Sequence, residues 1–348
     1  MKAFLAVAVI FLLLLGCTGG NPPSNQTNVT ANLTNATGNQ TKPPITIIIG
    51  QQQNQTAGQN ITPPVEPPPE QPPGPEFEYE NDPNQTLGVY FINVGGPGLH
   101  GNSILIKKGD LDVLIDAGPV ESGGKVVDFL RSKSVDDIDL LISTSADPRN
   151  YGGINAVADV YTIENYWWGD DSFGDADYSA ISERMAANTK NVTVIEKGYN
   201  ATLNGIVFEA LNPQAQRFQD INNDAMVLRI TDRNFSMLLT SNIQTGAQGK
   251  LTNEQPDKLN AEVMQAPYYG VGSGTSNIGI FLLTAKPKAM IITGSADESA
   301  ANGGSRDPFR RLMNMSQYGF ITYYEVYKTG NLRVASDGQN YTIQPVGG

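Results

Sequence analysis

The stretch from residue 18 to residue 86 contains almost nothing from which a hydrophobic core could be built. Asn-x-Thr triplets alternate with Gln in its first part, and its second part contains the Pro-rich, acidic block PPVEPPPEQPPGPEFEYE. A segment of such low hydrophobicity buries too little apolar surface to offset its chain entropy, so we predict a disordered or polyproline-like linker. Its reach is on the order of 50 Å as a coil and 200 Å when extended. The core of any folded domain must therefore lie outside it.

The linker also carries a repeated modification motif. Each Asn-x-Thr triplet is a potential glycan acceptor on an extracytoplasmic protein, although an Asn- and Thr-rich composition also produces such triplets by chance. The triplets begin at Asn25, Asn28, Asn32, Asn35, Asn39, Asn54, Asn60 and Asn84. The only apolar island, at residues 45–50, we interpret as incidental and not as a binding strand.

Residues 1–17 predict an export signal. Lys2 supplies a positive start, and residues 4–15 form an apolar run that is short for a bilayer span. The run ends in Leu-Leu-Gly-Cys, which resembles the end of a lipoprotein signal peptide, where the cysteine, here Cys17, is lipid-modified and becomes the mature N-terminus. An uncleaved anchor helix with an incidental cysteine is the alternative. Both interpretations predict a membrane-anchored, extracytoplasmic protein.

Two scarce residue types narrow the possible chemistry. The single Cys excludes an internal disulfide framework, and His100 is the only histidine in 348 residues. Histidine is the commonest metal ligand and general base, so this count disfavours both kinds of site. The formal net charge is −12, of which residues 1–86 contribute −4 and the remainder −8. Such an acidic domain makes nucleic acid an unlikely partner.

From residue 87 onward the sequence has the strand and helix patterns of a folded domain. Short runs rich in β-branched residues, such as VYFINV, NSILIKK and LDVLIDAG, predict strands separated by Gly-rich turns. GGKVVDFLRSKS and DYSAISERMAAN predict amphipathic helices, as do SNIGIFLLTAK and DPFRRLMNMSQYG nearer the C-terminus. Strands interleaved with a few helices predict one α/β (α+β) domain over residues 87–348, with two sheets and helices on their outer faces.

The order of these segments resembles that in the metallo-β-lactamase superfamily. The segments are VYFINVGGPGLHGNSILIKK, VLIDAGP, GGKVVDFLRSKSVDDIDLLISTSADPRNYGGI, NNDAMVLRI, SMLLTSNI, AEVMQAPYYGVGSGTS and PKAMIITG. The match is closest to the branch found as the extracytoplasmic domain of competence (DNA-internalisation) proteins, and it covers residues 88–345. The resemblance implies a four-layer αββα sandwich that binds one or two divalent metals, usually zinc, between its sheets.

The metal motif of that branch is Thr-His-x-Asp-x-Asp-His-x-Gly-Gly, and it is degenerate here. The corresponding segment reads TSADPRNYGG, from residue 144 to 153. Ser145 and Asn150 stand in place of the two histidines, and Arg149 stands in place of one carboxylate. Asp147 alone remains from this set of ligands.

The downstream motifs are altered in the same way. The Thr-Gly-Asp of the family, whose Asp bridges the metals, reads Thr-Ser-Asn and ends at Asn242. Its Pro-His-His-Gly reads Pro-Tyr-Tyr-Gly, with Tyr268 and Tyr269 in place of the histidines. A further family histidine falls in GGSRDP, which contains none. The resemblance implies that these altered positions converge on one cleft between the sheets.

The substitutions have a physical logic without metal. Ser, Asn and Tyr are poor zinc ligands, and Arg places a cation where a cation should bind. Anionic ligands kept without their ions would leave buried charge uncompensated, at a cost of several kcal/mol. Neutral hydrogen-bonding groups avoid that cost, and Arg149 can pair with Asp147 or Asp116. We therefore expect no cofactor, ancestral zinc having been lost, and no catalytic residue.

Two other features have simpler interpretations beside functional ones. His100, in the Gly-rich GPGLHGNS, is the remaining candidate for catalysis. It has no second His or Cys as a partner for zinc, so an exposed or turn-stabilising histidine is the simpler interpretation. Residues 165–178, NYWWGDDSFGDADY, combine aromatic rings with carboxylates that can hold sugars, cationic groups or calcium. Trp167 and Trp168 are the candidate binding residues there, and an ordinary acidic loop over packed aromatics is the alternative.

Three functions remain open at this stage. The first is a lipid-anchored pseudo-enzyme that binds or scaffolds an envelope protein or a small ligand. The second is a metal-dependent hydrolase, similar to a phosphodiesterase or nuclease, with an oxygen-rich site built from Asp116, Asp147 and Asp224. The third is a sugar- or peptide-binding module that uses the Trp167/Trp168 loop.

Overall fold

The computed structural model describes residues 77–348 apart from 78, 97–99, 170–174, 272–278, 295–312 and 314, together with two short strands nearer the N-terminus. The predicted signal peptide with Cys17, most of the linker and most of the predicted helix at residues 307–319 lie outside the described residues. The chain divides into two compact units, Met1–Glu70 and Gln71–Gly348. No helix in the described ranges is long and apolar enough to cross a membrane.

In the first unit the described residues form one antiparallel strand pair. Strand β1 (Val29–Ala31) pairs with β2 (Ile45–Ile47), so that Val29 lies opposite Ile47. The apolar island, interpreted from the sequence as incidental, thus forms one of these two strands.

The second unit contains two mixed β-sheets. The larger sheet has the order β17 (Tyr341–Pro345), β16 (Leu332–Ser336), β3 (Leu87–Phe91), β4 (Ile104–Lys108), β5 (Leu111–Ile115), β6 (Ile138–Ser143), β7 (Ile163–Trp168), β8 (Asn191–Val194). The smaller sheet has the order β15 (Thr322–Glu325), β14 (Ala289–Ile292), β13 (Val263–Gln265), β12 (Phe235–Leu239), β11 (Val227–Asp232), β10 (Ile206–Asn212), β9 (Asn200–Leu203). Strands β5 to β8 are parallel to one another, and so are β12 to β15.

Helices cover the outer face of each sheet. The helices described in this unit are α1 (Gly123–Ser132), α2 (Pro148–Tyr151), α3 (Ile154–Ala158), α4 (Ala176–Asn188), α5 (Thr245–Glu254), α6 (Pro256–Leu259), α7 (Gly279–Ala285) and α8 (Val326–Thr329), of which α8 packs Val326 into the core between the sheets. Apolar residues of α1, α3 and α4 pack on the larger sheet, and those of α5, α6 and α7 pack on the smaller one. The predicted αββα arrangement of four layers is confirmed.

Period-two alternation explains how one strand serves two layers. In β4, Ile104 and Ile106 face the core between the sheets, whereas Leu105 faces the helices on the outside. Successive strand side chains point to opposite faces of a sheet, so a strand between two apolar layers must be apolar at nearly every position. The continuous apolar runs read from the sequence, such as NSILIKK, are therefore the signature of these central strands.

The packed part of the chain begins ten residues before the predicted domain start. Phe77 and Tyr79, assigned from the sequence to the linker, pack against the core between the sheets. The Tyr79 hydroxyl accepts a hydrogen bond from the Asn204 backbone N–H at 2.7 Å. The sequence does not predict these two aromatic anchors, because they lie at the end of the Pro-rich block of the linker.

Candidate functional site

Four strand ends bring the predicted site residues to one edge of the sandwich. Asp116 follows β5, the loop with Asp147 follows β6, Asn242 comes after β12, and Tyr269 comes after β13. Because the carboxyl ends of parallel strands meet at one edge of a sheet, these loops can meet above the core. The hydrogen bonds described below show that they do.

Asp147 is the centre of the cluster. Only 2% of its surface is exposed, and both carboxylate oxygens accept from Arg149 Nε, at 2.8 and 3.0 Å. Arg149 Nη2, Asn242 Nδ2 at 3.1 Å and the Tyr269 hydroxyl at 3.3 Å also donate to Asp147 Oδ2. Burial works to raise the pKa of this carboxyl, but hydrogen bonds and charge from Arg149 outweigh it and hold the pKa below its usual value.

Arg149 is held on its other side by aromatic rings. Its guanidinium carbon lies 5.5 Å from the centre of the Tyr268 ring and 5.0 Å from that of Tyr269, within range of a cation–π contact. Arg149 Nη1 lies 2.6 Å from His100 Nε2. A guanidinium can only donate, so Nε2 accepts and the imidazole proton is on Nδ1.

The sequence favours an exposed or turn-stabilising role for His100. The structure instead buries it and places it against Arg149. It is 2% exposed, and its ring centre lies 4.6 Å from that of Tyr269. Residue 101 must be glycine for a steric reason. A Cβ at Gly101 would lie 2.2 Å from the Arg149 backbone oxygen, closer than any real contact allows. That close approach allows His100 to reach Arg149.

A second layer of neutral groups lies beneath the ion pair. Asn150 Nδ2 donates to the hydroxyls of Ser145 and Ser241, both at 3.1 Å, and its Oδ1 accepts from Tyr269 at 3.0 Å. The Thr144 and Ser241 hydroxyls are 2.6 Å apart. Ser145 and Asn150, which replace the two histidines of the family motif, thus hydrogen-bond to each other.

Asp116 closes the lower end of the cluster. It is 1% exposed and accepts from Thr144 N at 2.8 Å and Thr144 Oγ1 at 2.6 Å. Burial raises its pKa to about 7, although the hydrogen bonds from Thr144 lower it. Of the two partners the sequence offered to Arg149, Asp147 forms the ion pair and Asp116 bonds to Thr144.

Comparison with known proteins agrees with the sequence. No protein-family model matches the chain. It is 23% identical to competence protein ComA of Neisseria gonorrhoeae over 192 residues, covering 55% of this chain and 25% of that protein. It is 21% identical to ComE operon protein 3 of Bacillus subtilis over 227 residues, covering 65% and 27%. The predicted resemblance to competence proteins is confirmed. The chain spans about a quarter of the length of these relatives.

Solved structures with a similar arrangement include metallo-β-lactamase fold proteins. The metallo-β-lactamase fold protein YhfI from Bacillus subtilis is similar over 72% of this chain and 100% of the YhfI chain, with 14% sequence identity and a TM-score of 0.48. CmlA, a diiron β-hydroxylase from Streptomyces venezuelae, matches 74% and 55%, with 9% identity and a TM-score of 0.49.

The residues in the metal-motif positions do not fit a divalent ion. Zinc needs neutral imidazoles, thiolates or carboxylates that offer free lone pairs at fixed geometry. Here the guanidinium of Arg149 engages both oxygens of Asp147, and the Asn150 amide donates to neighbouring hydroxyls. Within the described residues no group of three or more His, Cys, Asp or Glu side chains is arranged to hold a metal.

Asp224 has a structural task in a nearby loop. Its Oδ1 accepts from the Phe218 backbone N–H at 2.8 Å, and its Oδ2 accepts from that of Asp220 at 3.1 Å. Asp116, Asp147 and Asp224 thus have separate sets of hydrogen-bond partners, and among the described residues they are not grouped so that they could hold a metal ion.

The tryptophan pair, predicted to lie in a loop, is part of a strand. Both residues lie in β7, and Trp167 is fully buried in the core between the sheets, 6.0 Å from the Phe208 ring centre. It has no surface to offer a ligand. Trp168 is partly buried on the opposite face, stacked on Tyr166 with ring centres 6.4 Å apart. Strand alternation, which places neighbouring residues on opposite faces, separates the pair.

A cavity of about 440 Å³ opens beside the cluster. Arg149 and Tyr151 line it, together with the acidic residues Glu121, Asp175 and Asp177. About a quarter of the Arg149 side chain is exposed (26%), so the cavity gives access to one side of the ion pair.

The sequence does not predict several members of the cluster as site residues. Thr144, Ser241 and His100 were quoted within motifs but not selected as site residues. Gln265, whose Oε1 accepts from the backbone N–H groups of Thr240 and Ser241 at 3.1 and 2.9 Å, had no signal in the sequence. Its contribution depends on β13 lying beside β12.

Proposed function

We propose that the chain is a lipid-anchored cell-surface protein whose metallo-β-lactamase-like domain binds or scaffolds an envelope partner or a small ligand without performing hydrolysis. The observation that carries the proposal is the Arg149–Asp147 ion pair in the metal-motif loop. Arg149 there supplies internally a positive charge that the related sites obtain from metal ions. The pair is compatible with a fold that keeps its architecture and has lost its chemistry.

The physics of hydrolysis supports this proposal. Metal-assisted hydrolysis uses the ion to lower the pKa of a water and to stabilise the developing anion. Asp147 is already paired with Arg149, and the carboxyl of Asp116 accepts two hydrogen bonds from Thr144. General-base assistance contributes about 10²- to 10⁴-fold at most. Enzymes that cleave difficult bonds achieve accelerations on the order of 10⁶-fold and more.

The cavity beside Arg149 is the proposed binding surface. Its carboxylate-lined wall favours ligands with cationic or hydrogen-bond-donating groups, and the exposed side of Arg149 adds one donor site. The acidic charge of the domain, −8 beyond residue 86, disfavours nucleic acid as that ligand.

Metal dependence and turnover test the absence of catalysis. Residues 71–348, which include the aromatic anchors Phe77 and Tyr79, should show the same melting temperature with and without chelator. They should also leave bis-p-nitrophenyl phosphate, single-stranded DNA and a β-lactam uncleaved with zinc, manganese or magnesium added. A metal that binds only the folded state would raise the melting temperature, because it stabilises that state by RT ln(1 + [L]/Kd). Turnover that disappears in Asp147→Ala but persists in the exposed control Asp128→Ala would instead establish a hydrolase.

The lipid anchor has an independent test. Two acyl or alkyl chains on Cys17 would hold the protein firmly on the membrane, whereas one chain binds only marginally. We expect Cys17→Ser to abolish incorporation of labelled lipid and to change processing of the N-terminus. A variant that fractionates and migrates like the parent would refute lipidation.

A further inference from the structure

The folded unit carries the last Asn-x-Thr triplet of the predicted linker, at Asn84, and further Asn-x-Ser/Thr triplets beyond it. They begin at Asn84, Asn191, Asn200, Asn234, Asn314 and Asn340. An N-linked glycan is joined to the side-chain amide of such an asparagine, so the surroundings of Nδ2 decide whether a triplet can be used. The structure describes all of these asparagines except Asn314, and it divides them into two groups.

Asn84 and Asn340 form the accessible group. Asn84 is exposed in a turn in which Asp82 accepts from its backbone N–H at 3.1 Å, and the third residue of the triplet, Thr86, is exposed as well. Asn340 is exposed at the end of the turn between β16 and β17, where its backbone N–H donates to Asp337 Oδ1 at 2.7 Å. Its amide also contacts the exposed Asp337 carboxylate. Thr342, the third residue of this triplet, is exposed.

The other described triplets lie in or next to paired strands, and that at Asn191 involves a buried side chain. Asn191, half-buried at the start of β8, uses Nδ2 to donate to Oδ1 of the fully buried Asn165 at 3.0 Å. Turning this amide outward to make room for a sugar on Nδ2 would leave a buried acceptor without its donor. Asn234 is exposed in the turn between β11 and β12, where its Nδ2 donates to Gln339 at 2.9 Å, and it is followed by the buried Ser236. Asn200 is exposed at the start of the paired edge strand β9.

The two accessible triplets share one end of the sandwich. Leu87, three residues after Asn84, pairs with Ser336, four residues before Asn340. The turn at Asn234 joins them there, because its backbone N–H donates to Gly338 O at 2.9 Å. This turn precedes β12, whereas Ser241 and Asn242 of the candidate site follow β12. Asn84 and Asn340 therefore lie at the end of the domain opposite the candidate site.

We propose that Asn84 and Asn340 carry N-linked glycans and that Asn191 does not. The proposal rests on the extracytoplasmic location in the proposed function. In each transfer the bond from Nδ2 to the anomeric carbon of the sugar forms, and the bond from that carbon to the phosphate of a lipid-linked sugar phosphate breaks. Nδ2 loses one proton, and the phosphate leaves with the electron pair. The glycans cover the end of the domain that joins the linker and leave the candidate cleft open.

Substitutions at the third residue of each triplet provide a matched test, because alanine there destroys the triplet and serine keeps it. The full chain is isolated from its own cells, and its peptides are analysed by mass spectrometry. Thr86→Ala and Thr342→Ala should each remove one glycan mass, whereas Thr86→Ser and Thr342→Ser should keep it, because serine preserves the triplet. Thr193→Ala, which removes the Asn191 triplet, should leave the mass of the glycosylated protein unchanged apart from the substitution.

Protease treatment of intact cells separates the two proposals. If the domain is digested at the surface and Asn84 and Asn340 are unmodified, the glycan proposal is wrong while the proposed location stands. A glycan on Asn191 also overturns it. If the domain is protected and none of its asparagines, including those of the linker, is modified, both the location and the glycan proposal fail.

Discussion

At Arg149, one side chain joins loops that are far apart in the chain. Its guanidinium binds Asp147 in its own loop, His100 from the loop between β3 and β4, and the ring of Tyr269, which follows β13 of the smaller sheet. A single guanidinium offers five donors in a planar fork, so it can satisfy several partners that lysine could not. The consequence is a site whose charge balance depends on one residue.

Replacing Arg149 tests that dependence. Arg149→Met keeps much of the side-chain length but leaves the Asp147 carboxylate buried without its cation. We expect a loss of about 3–5 kcal/mol in the free energy of unfolding, the usual cost of breaking a buried pair from one side. Urea unfolding of residues 71–348 measures the change.

Two further variants make the Arg149 experiment specific. Arg131→Met removes an exposed arginine, 60% exposed in its own ion pair, and should stay within about 0.5 kcal/mol of the parent. Adding Asp147→Asn to Arg149→Met removes the uncompensated charge and should restore part of the loss. Equal stability of Arg149→Met and the parent would mean that the pair contributes nothing.

Among the elements, helix α2 explains why Asp147 persists without a metal. Asp147 is the N-cap of α2, where its side chain accepts the Arg149 backbone N–H at 3.0 Å, and Pro148 occupies the first helical position. Asp at the N-cap followed by Pro is a favourable helix start. The carboxylate therefore has a local structural role that is independent of any ligand.

Helix α4 begins in a similar way and gives a prediction at this scale. Asp175 Oδ1 accepts from Tyr178 N at 2.9 Å and from the Tyr151 hydroxyl at 2.7 Å, which ties α4 to the loop of the candidate site. Asp175→Ala should lower the free energy of unfolding by about 1 kcal/mol through loss of the cap. Thermal or urea unfolding detects this change. Glu183→Ala, an exposed position within the same helix, should change it by less than about 0.5 kcal/mol.

Across the whole molecule, buried carboxyl groups couple stability to pH. Burial raises the pKa of Asp112, Asp116 and Asp139 to about 7. Hydrogen bonds from Lys107, from Thr144 and from the Asp112 backbone N–H, respectively, work against this rise. A group whose pKa is raised on folding binds its proton more tightly in the folded state. Its stabilising contribution is complete below the unfolded pKa of about 4 and is lost as the pH rises through about 7.

We therefore expect the free energy of unfolding to fall as the pH is raised from 5 to 8. Each such group contributes a slope of up to about 1.4 kcal/mol per pH unit, so the total loss should be a few kcal/mol. Asp116→Asn should remove about a third of this slope, since it is one of three such groups, whereas Asp128→Asn, 78% exposed in the parent, should preserve it. Urea unfolding at several pH values measures the slope, and a flat profile in the parent would contradict the assignment.

The sequence by itself determined the layered fold and the altered ligand positions, because both are written locally along the chain. Continuous apolar runs predict strands between two apolar layers, and the altered positions in TSADPRNYGG follow from its resemblance to the family motif, without any knowledge of packing. Only the tertiary structure decided the partners. It gave Arg149 to Asp147 and not to Asp116, buried His100 against Tyr269 and turned Trp167 into the core. Such contacts join side chains from distant strands and loops, and their geometry exists only once the two sheets have packed together.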